Sequence, residues 1–320
     1  MAKENEIITT RVINAPRKLV FEAFTKPEHL IKWWGPRGFT NTFKEINIKP
    51  GGVWRFTMHG HGMDFPNKIV FKEVLLDEKI TYEHSGDGNP NDDSHFDAAI
   101  TFEDAGADKT KVTISTFFKT KVERDTVVEK YGAIEGAKQT LEKLEEEVAV
   151  MCAGEEFVIT RTLNAPRELV WKVWTEAEHM AKWWGPTGFE MVKCKIDLRP
   201  GGMFHYGMKT ADGAHTMWGR MVYREISKPE RMIVVVSFSD EQGGIVSHPL
   251  APNWPLEVLS TMIFEEDNGK TILTMRGVPL NANEEAIKMY KSGHAGMEQG
   301  FGGTFAQLDA YLDQLKTKKV

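Results

Sequence analysis

The 320-residue sequence predicts an α+β protein of two similar domains, each an antiparallel meander of about seven strands covered by one long C-terminal helix. Three observations carry that prediction. The octapeptide KWWGPRGF at 32–39 returns as KWWGPTGF at 182–189, so one half of the chain repeats the other. Within each half, one strand-like run and two short helical patterns precede six runs that alternate with period two. Each half then closes on a helical pattern, at 122–150 and 283–318, which is the only element large enough to cover an apolar sheet face.

The repeat is a whole-domain duplication. Asn14 falls on Asn164, Pro16 on Pro166, Trp33 on Trp183 and Pro50-Gly51-Gly52 on Pro200-Gly201-Gly202, always 150 residues apart. The offset grows to 152 at Phe71 and Tyr223, and to 164 at Leu144 and Leu308, which places insertions in loops of the second copy. Extra loop length costs little there. The charged run LEKLEEEVAV gives way to Gly154 and a β-branched pattern, so the boundaries are set at 1–152 and 153–320.

Each copy opens on a strand rich in Ile, Val and Thr, EIITTRVI or EFVITRTL. A turn at Asn-Ala-Pro follows, with Pro16 or Pro166 suited to the first helical position, where its missing N–H bonds nothing. Val20 and Phe24, or Val170 and Trp174, recur at helical spacing. Thr25 and Glu28, or Thr175 and Glu178, then read as a reciprocal capping box that starts a second short helix. Leu30, Trp33 and Trp34, or Met180, Trp183 and Trp184, lie on it, and Gly35-Pro36 or Gly185-Pro186 stops it. Neighbouring helical side chains point roughly 100° apart. One indole can therefore anchor inward while the next covers a loop or lines a hollow.

The period then changes to two. INIKPGGVWRFTM and IDLRPGGMFHYGM read as strand, Pro-Gly-Gly turn, strand. Four more strands are expected at 67–75, 79–85, 95–104 and 110–118, and at 217–226, 231–239, 255–265 and 270–278. Alternation puts Trp54, Phe56 and Met58, with Ile69, Phe71, Ile80 and Tyr82, on one face of the first sheet. In the second copy that face carries Phe204, Tyr206, Met208, Met221, Tyr223, Met232 and Val234.

The second terminal helix presents Met297, Phe301, Phe305, Leu308, Leu312 and Leu315, flanked by Gly293, Gly296, Gly300 and Gly303. Each helical glycine costs up to about 1 kcal/mol relative to alanine, so the stripe must gain close approach or leave space. The first copy has Ala133 and Ala137 where the second has Met297 and Phe301, which predicts the larger internal hollow in the first domain.

Composition narrows the function. Hydrophobic residues at 41% and charged residues at 27% describe ordinary globular domains. A formal charge of -6 supplies no basic field for nucleic acid or an anionic membrane surface. The opening MAKENEIITT has no signal-like apolar core and no run is long enough to span a bilayer, so the reading is cytoplasmic, without a membrane span. Cys152 and Cys194 have no partners at zinc-ligand spacing and are read as reduced thiols.

Chemistry is sparse. His59, His61 and Asp64 in MHGHGMD sit close in sequence, but the second copy reads MKTADGAH and no further ligand is fixed, so no metal is assigned. His84, His95, His215 and His248 fall at strand ends or in loops and are expected to face solvent. No nucleophile elbow, phosphate loop or dinucleotide fingerprint occurs. The acids of LEKLEEEVA flank Leu141, Leu144 and Val148 and read as a solvated helix face. The loops SGDGNPNDDSH and SDEQGGIVSHPLAPNWP differ between copies and are candidate pocket rims, with Trp254 a candidate cap. No catalytic residue and no cofactor is assigned.

The Asn-Ala-Pro entry, KWWGP, the Pro-Gly-Gly hairpin and the glycine-bearing terminal helix resemble the START-like, helix-grip superfamily. More narrowly, they are similar to the C-terminal domain of the activator of heat-shock-protein-90 ATPase, across nearly the whole chain, twice. The resemblance implies a curved sheet wrapped around the long helix, with a cavity between them that takes hydrophobic small molecules in relatives. The candidate ligand-binding residues are then Trp34, Trp54, Phe56, Met58, Phe71 and Tyr82 in the first domain. Those in the second are Trp184, Phe204, Tyr206, Met208, Tyr223, Met297 and Phe301. The leading expectation is a non-catalytic binding protein for a small hydrophobic ligand. One alternative is a co-chaperone-like interaction module with a chaperone as partner, placed second because the co-chaperone's extra N-terminal domain has no counterpart in this sequence. The other is a cyclase- or hydrolase-type enzyme using Tyr82, His84 or Tyr206.

Overall fold

In the computed structural model, residues 4–87 and 95–317 are described, and tertiary contacts divide the chain into Met1–Cys152 and Ala153–Val320. The first unit runs β1 (Glu6–Ile13), α1 (Arg17–Thr25), α2 (Pro27–Trp33), β2 (Thr40–Ile46), β3 (Val53–Gly60), β4 (Met63–Leu75), β5 (Lys79–Gly86), β6 (Phe96–Asp104), β7 (Thr110–Phe117), α3 (Lys121–Tyr131) and α4 (Ala133–Ala153). The second runs β8 (Phe157–Leu163), α5 (Arg167–Thr175), α6 (Ala177–Met180), β9 (Phe189–Ile196), β10 (Met203–Thr210), β11 (Thr216–Ser227), β12 (Arg231–Phe238), β13 (Glu257–Asp267), β14 (Lys270–Leu280), α7 (Glu284–Ser292) and α8 (His294–Thr317).

Each unit holds one seven-stranded antiparallel sheet, in the order β1-β7-β6-β5-β4-β3-β2 and β8-β14-β13-β12-β11-β10-β9. Consecutive strands pair as hairpins, and the first strand of each unit closes the far edge beside the last. Register shifts at Phe43/Glu45 and Phe71/Glu73, and at Gly207/Met208 and Tyr223/Glu225, bend the strands, and those at Phe71/Glu73 and Tyr223/Glu225 fall at equivalent positions. Leu141, Leu144 and Val148 of α4 enter the first core, and Phe305, Leu308 and Leu312 of α8 the second. Among the described residues no helix is long and apolar enough to cross a membrane.

The two tryptophans of KWWGP take different jobs in both units. Trp33 and Trp183 are fully buried and donate Nε1–H to the carbonyls of Ala23 and Val173, at 2.9 and 3.0 Å, tying the end of α2, and the turn after α6, to the preceding helix. Trp34 and Trp184 turn toward the sheet. The following Gly35 and Gly185 hold φ of +92° and +115°. Each also lies beneath a methionine: a Cβ would stand 2.8 Å from Met58 Cε or 2.4 Å from Met208 Sδ. Their carbonyls accept from Lys143 Nζ at 3.1 Å and from Gln307 Nε2, so the terminal helix also fastens this turn.

Several sequence expectations are corrected. Thr25 and Thr175 do not cap the second helix; their hydroxyls donate back to the carbonyls of Phe21 and Trp171, at 2.9 and 2.8 Å. A threonine four residues beyond a helical carbonyl can satisfy it directly, and the second helices start at Pro27 and Ala177 with no side-chain cap. Pro16 and Pro166 stand one residue outside their helices, with extended ψ of 144° and 147°. Neither terminal helix is continuous: Gly132, with φ of +62°, ends α3, and the other break falls at Gly293. Thr120 and Glu123 form the reciprocal capping box that starts α3.

The largest correction concerns the acids of LEKLEEEVA. Glu145, Glu146 and Glu147 are buried rather than solvated, because α4 is enclosed on one side by β1 and on the other by α2 and the turn after it. Arg11 reaches Glu145 at 2.7 Å, Arg37 reaches Glu146 at 2.6 Å, and His29 and Lys32 meet Glu147 at 2.7 and 2.9 Å. Burial of charge requires such partners. The second unit fastens α8 with less charge: Arg161 pairs with Asp309, and the Tyr311 hydroxyl lies 2.7 Å from His179 Nδ1.

Candidate functional site

In the first unit α2 delivers Trp34 to the inner face of β3 and β5. Its ring stands 5.1 Å from Trp54 and 6.4 Å from Tyr82, edge to face in both cases. Trp54 stacks on Phe56 at 4.2 Å, and Phe71 meets Tyr82 at 6.4 Å. Met58 is spent on Gly35. Phe43, which alternation did not single out, packs on Trp54 at 5.1 Å. The polar tips in this lining are neutral. Trp54 Nε1 is buried with no hydrogen-bond partner among the described residues, and burial raises the Tyr82 hydroxyl far above the ordinary phenol range.

The second unit keeps the geometry and moves the polar atoms. Trp184 meets Phe204 at 6.0 Å and Tyr206 at 5.7 Å, while Phe204 and Tyr206 lie 4.9 Å apart. Burial pushes the Tyr206 hydroxyl up to about 12, opposed to a lesser degree by the Trp184 indole. Tyr223, buried where the first unit has Phe71, is raised for the same reason, with Cys194 adding. Met208 covers Gly185. Phe301 belongs to a different row, stacked between Phe157 at 5.9 Å and Phe305 at 5.9 Å, and Met297 is half-buried one turn before it.

Both thiols sit partly buried near these walls, and burial pushes Cys152 and Cys194 up to about 11. The thiolate is the reactive form. Alkylation of the folded chain by iodoacetamide at pH 8 is therefore expected to run on the order of a hundredfold slower than in urea. Equal rates in the two states would contradict the buried placement.

The terminal helices meet the sheets through their second halves. From Lys121 to Gln139 no residue is buried, and the first buried position on α4 is Thr140. On α8 the first is Thr304, and Cβ atoms at Gly296, Gly300, Gly302 and Gly303 would each meet nothing within 4 Å. Along the stripe only Gly293 permits a close approach, its Cβ position lying 2.6 Å from Trp254, while the glycines after it bring no element close.

The histidines fall differently from the sequence expectation. His84 is buried, not solvent-facing: it shares the inner face with Tyr82, stacks on Phe96 at 4.4 Å and lies 2.9 Å from the Asn67 amide oxygen. His95 approaches Glu83 at 3.5 Å, His215 is exposed, and His248 packs on Phe238 at 4.5 Å. His205, which the sequence did not flag, is buried on the outer face of β10, where its Nε2 meets the Asp240 carbonyl at 3.2 Å. Both ring nitrogens of His59 are engaged, by Thr42 at 2.8 Å and Asp64 at 2.7 Å, while His61 stands edge-on to Phe39. Much of the loop SGDGNPNDDSH lies outside the described residues. The other variable loop is described, and it lays Trp254 against Tyr290 at 5.3 Å.

No curated protein matches the chain. Among solved structures it is similar to protein Ms6760 from Mycobacterium smegmatis, 25% identical over 48% of this chain and 88% of that one, with a TM-score of 0.41. A protein from Staphylococcus epidermidis is 26% identical over 46% of this chain and 92% of its own, with a TM-score of 0.41. The di-domain ARO/CYC BexL of the BE-7585A biosynthetic pathway matches along 96% of this chain and 98% of its own, at 13% identity and a TM-score of 0.44. The family described as activator of Hsp90 ATPase homolog 1-like protein matches residues 14–149 and again 164–313. With one match on each sheet-and-helix unit, the chain belongs to the activator of Hsp90 ATPase homolog 1-like family and carries its domain twice.

Proposed function

We propose that each unit binds a small, uncharged, hydrophobic molecule between its sheet and the front half of its terminal helix. The observation that carries this reading is that α4 and α8 enter the aromatic cores only through their rear halves, while their fronts carry no buried residue. Trp34, Trp54, Phe56, Met58, Phe71 and Tyr82 wall the first site; Trp184, Phe204, Tyr206, Met208, Tyr223, Met297 and Phe301 wall the second. The phenols among these residues stay protonated, so a charged ligand would lose its hydration without gaining a counter-ion. The first unit, with Ala133 and Ala137 in place of Met297 and Phe301, takes the bulkier molecule.

Titration with the neutral fluorophore N-phenyl-1-naphthylamine tests this. The expected result is saturable binding of two molecules per chain, falling to one in Ala137→Phe, which copies the second unit's side chain into the first. Absence of saturable binding would defeat the reading. The co-chaperone alternative makes the opposite demand. Added to a purified Hsp90-type chaperone, a ligand carrier leaves ATP turnover unchanged, and acceleration would favour the interaction module instead. The enzyme alternative rests on His84 beside Asn67 and Tyr82, an oriented imidazole on the inner face of the first unit only.

A further inference from the structure

At the junction of α7 and α8 two buried polar groups have no hydrogen-bond partner among the described residues: the Tyr290 hydroxyl and His294 Nε2. Tyr290 is 1% exposed. The two rings stand one helical turn apart in sequence, with centroids separated by 5.3 Å at an interplanar angle of 87°. Native proteins rarely leave such atoms unpaired, because each has given up water without replacement.

The local fold holds the pair in place. A Cβ on Gly277 would lie 2.5 Å from the Tyr290 hydroxyl, so this glycine is what lets the phenol reach the backbone of β14. That backbone lies in register with Ser260 on one side and Phe157 on the other, and no hydrogen bond joins it to the hydroxyl. Burial, with the Glu156 carboxylate adding, raises the Tyr290 hydroxyl well above the phenol range and keeps it a neutral donor. Phe157 stands 5.4 Å from His294 and stacks on the half-buried Phe301 of α8. Trp254 covers the other side: its ring lies 5.3 Å from Tyr290 and 2.6 Å from where a Cβ on Gly293 would be.

We infer that Tyr290 and His294 form a recognition site for the hydroxyl group of an aromatic ligand, with Phe157 and Phe301 as its apolar walls and Trp254 as its cover. One hydroxyl satisfies both orphans, since its oxygen accepts from Tyr290 and its proton is donated to His294 Nε2. A hydrocarbon of the same shape satisfies neither. The first unit has no counterpart, because the offset of 164 places exposed Thr126 and Lys130 at these positions. The inference rests on the reading that apolar molecules enter the second unit, and it adds what they must carry.

The test compares 2-naphthol with naphthalene on the full chain by quenching of tryptophan fluorescence, with Ala137→Phe present throughout to leave the second unit as the responding site. Naphthol is the more water-soluble of the two, so burial alone favours naphthalene. The expected result is naphthol binding about tenfold tighter, with that preference removed in Tyr290→Phe and in His294→Phe while naphthalene affinity is retained. Equal affinities, or a preference untouched by either variant, overturn the site and leave the ligand-binding reading standing. Failure of both probes and of N-phenyl-1-naphthylamine to bind overturns both. Retained naphthalene affinity in the variants separates lost recognition from lost folding.

Discussion

Replacing Gly185 by alanine is expected to destabilise the second unit by about 4 kcal/mol, read as a lower urea midpoint at unchanged slope. Two independent costs add. At φ of +115° the residue lies where an L side chain is strained, worth about 1–3 kcal/mol. A Cβ would also fall 2.4 Å from Met208 Sδ, and the sulfur sits inside its side chain rather than at a free end, so overpacking contributes about 1–3 kcal/mol more. In a Met208→Ala background the second cost disappears and the penalty shrinks to the backbone part. Gly35→Ala is expected to be milder. Its φ is +92°, and the obstructing atom, Met58 Cε at 2.8 Å, is a terminal methyl able to swing aside. Equal penalties at the two glycines would show that the methionine contact contributes nothing.

Arg37→Met is expected to cost the first unit about 3 kcal/mol and the second unit nothing. The arginine and Glu146 have side-chain exposures of only 9% and 11%, and the same guanidinium reaches Glu142 at 3.3 Å. Methionine keeps the volume but leaves a buried carboxylate without its nearest cation, the situation in which one-sided removal of an ion pair is most damaging. The second unit has Thr187 at the matching position and Ala310 in place of Glu146, so nothing there depends on such a pair. Amide hydrogen exchange separates the outcomes: protection should fall across 140–153 and hold across 304–317. A uniform loss along both helices, or none, would contradict the assignment of Arg37 as the clamp of α4.

The order of elements and the inward aromatic set were legible because both follow from local periodicity. Trp54, Phe56, Phe71 and Tyr82 alternate along strands whose inner face is buried, and no other register buries them together. The duplication gave each assignment a second, independent instance. What escaped was decided by partners distant in the chain. Glu145 and Glu146 look like a solvated helix flank until Arg11 and Arg37, 134 and 109 positions away, are folded against them. Thr25 satisfies the capping pattern and the back-bonding pattern equally well, and the fold takes the second, as it does at Thr175 ahead of Ala177. Tyr290 and His294 carry no signal at all in one dimension. Their interest comes from what fails to reach them, and that becomes visible only once Gly277 and Trp254 have been brought alongside.

Fastening at one end alone turns α4 into a cantilever. Lys143 bolts its rear portion to the tryptophan turn, while the portion ahead of Thr140 carries no buried residue. Lifting the free end moves no buried residue of the helix and leaves the anchored core undisturbed, so breathing there draws on a small part of the total stability. Opening of that end is thus a local event, and the remainder of the first unit stays folded through it.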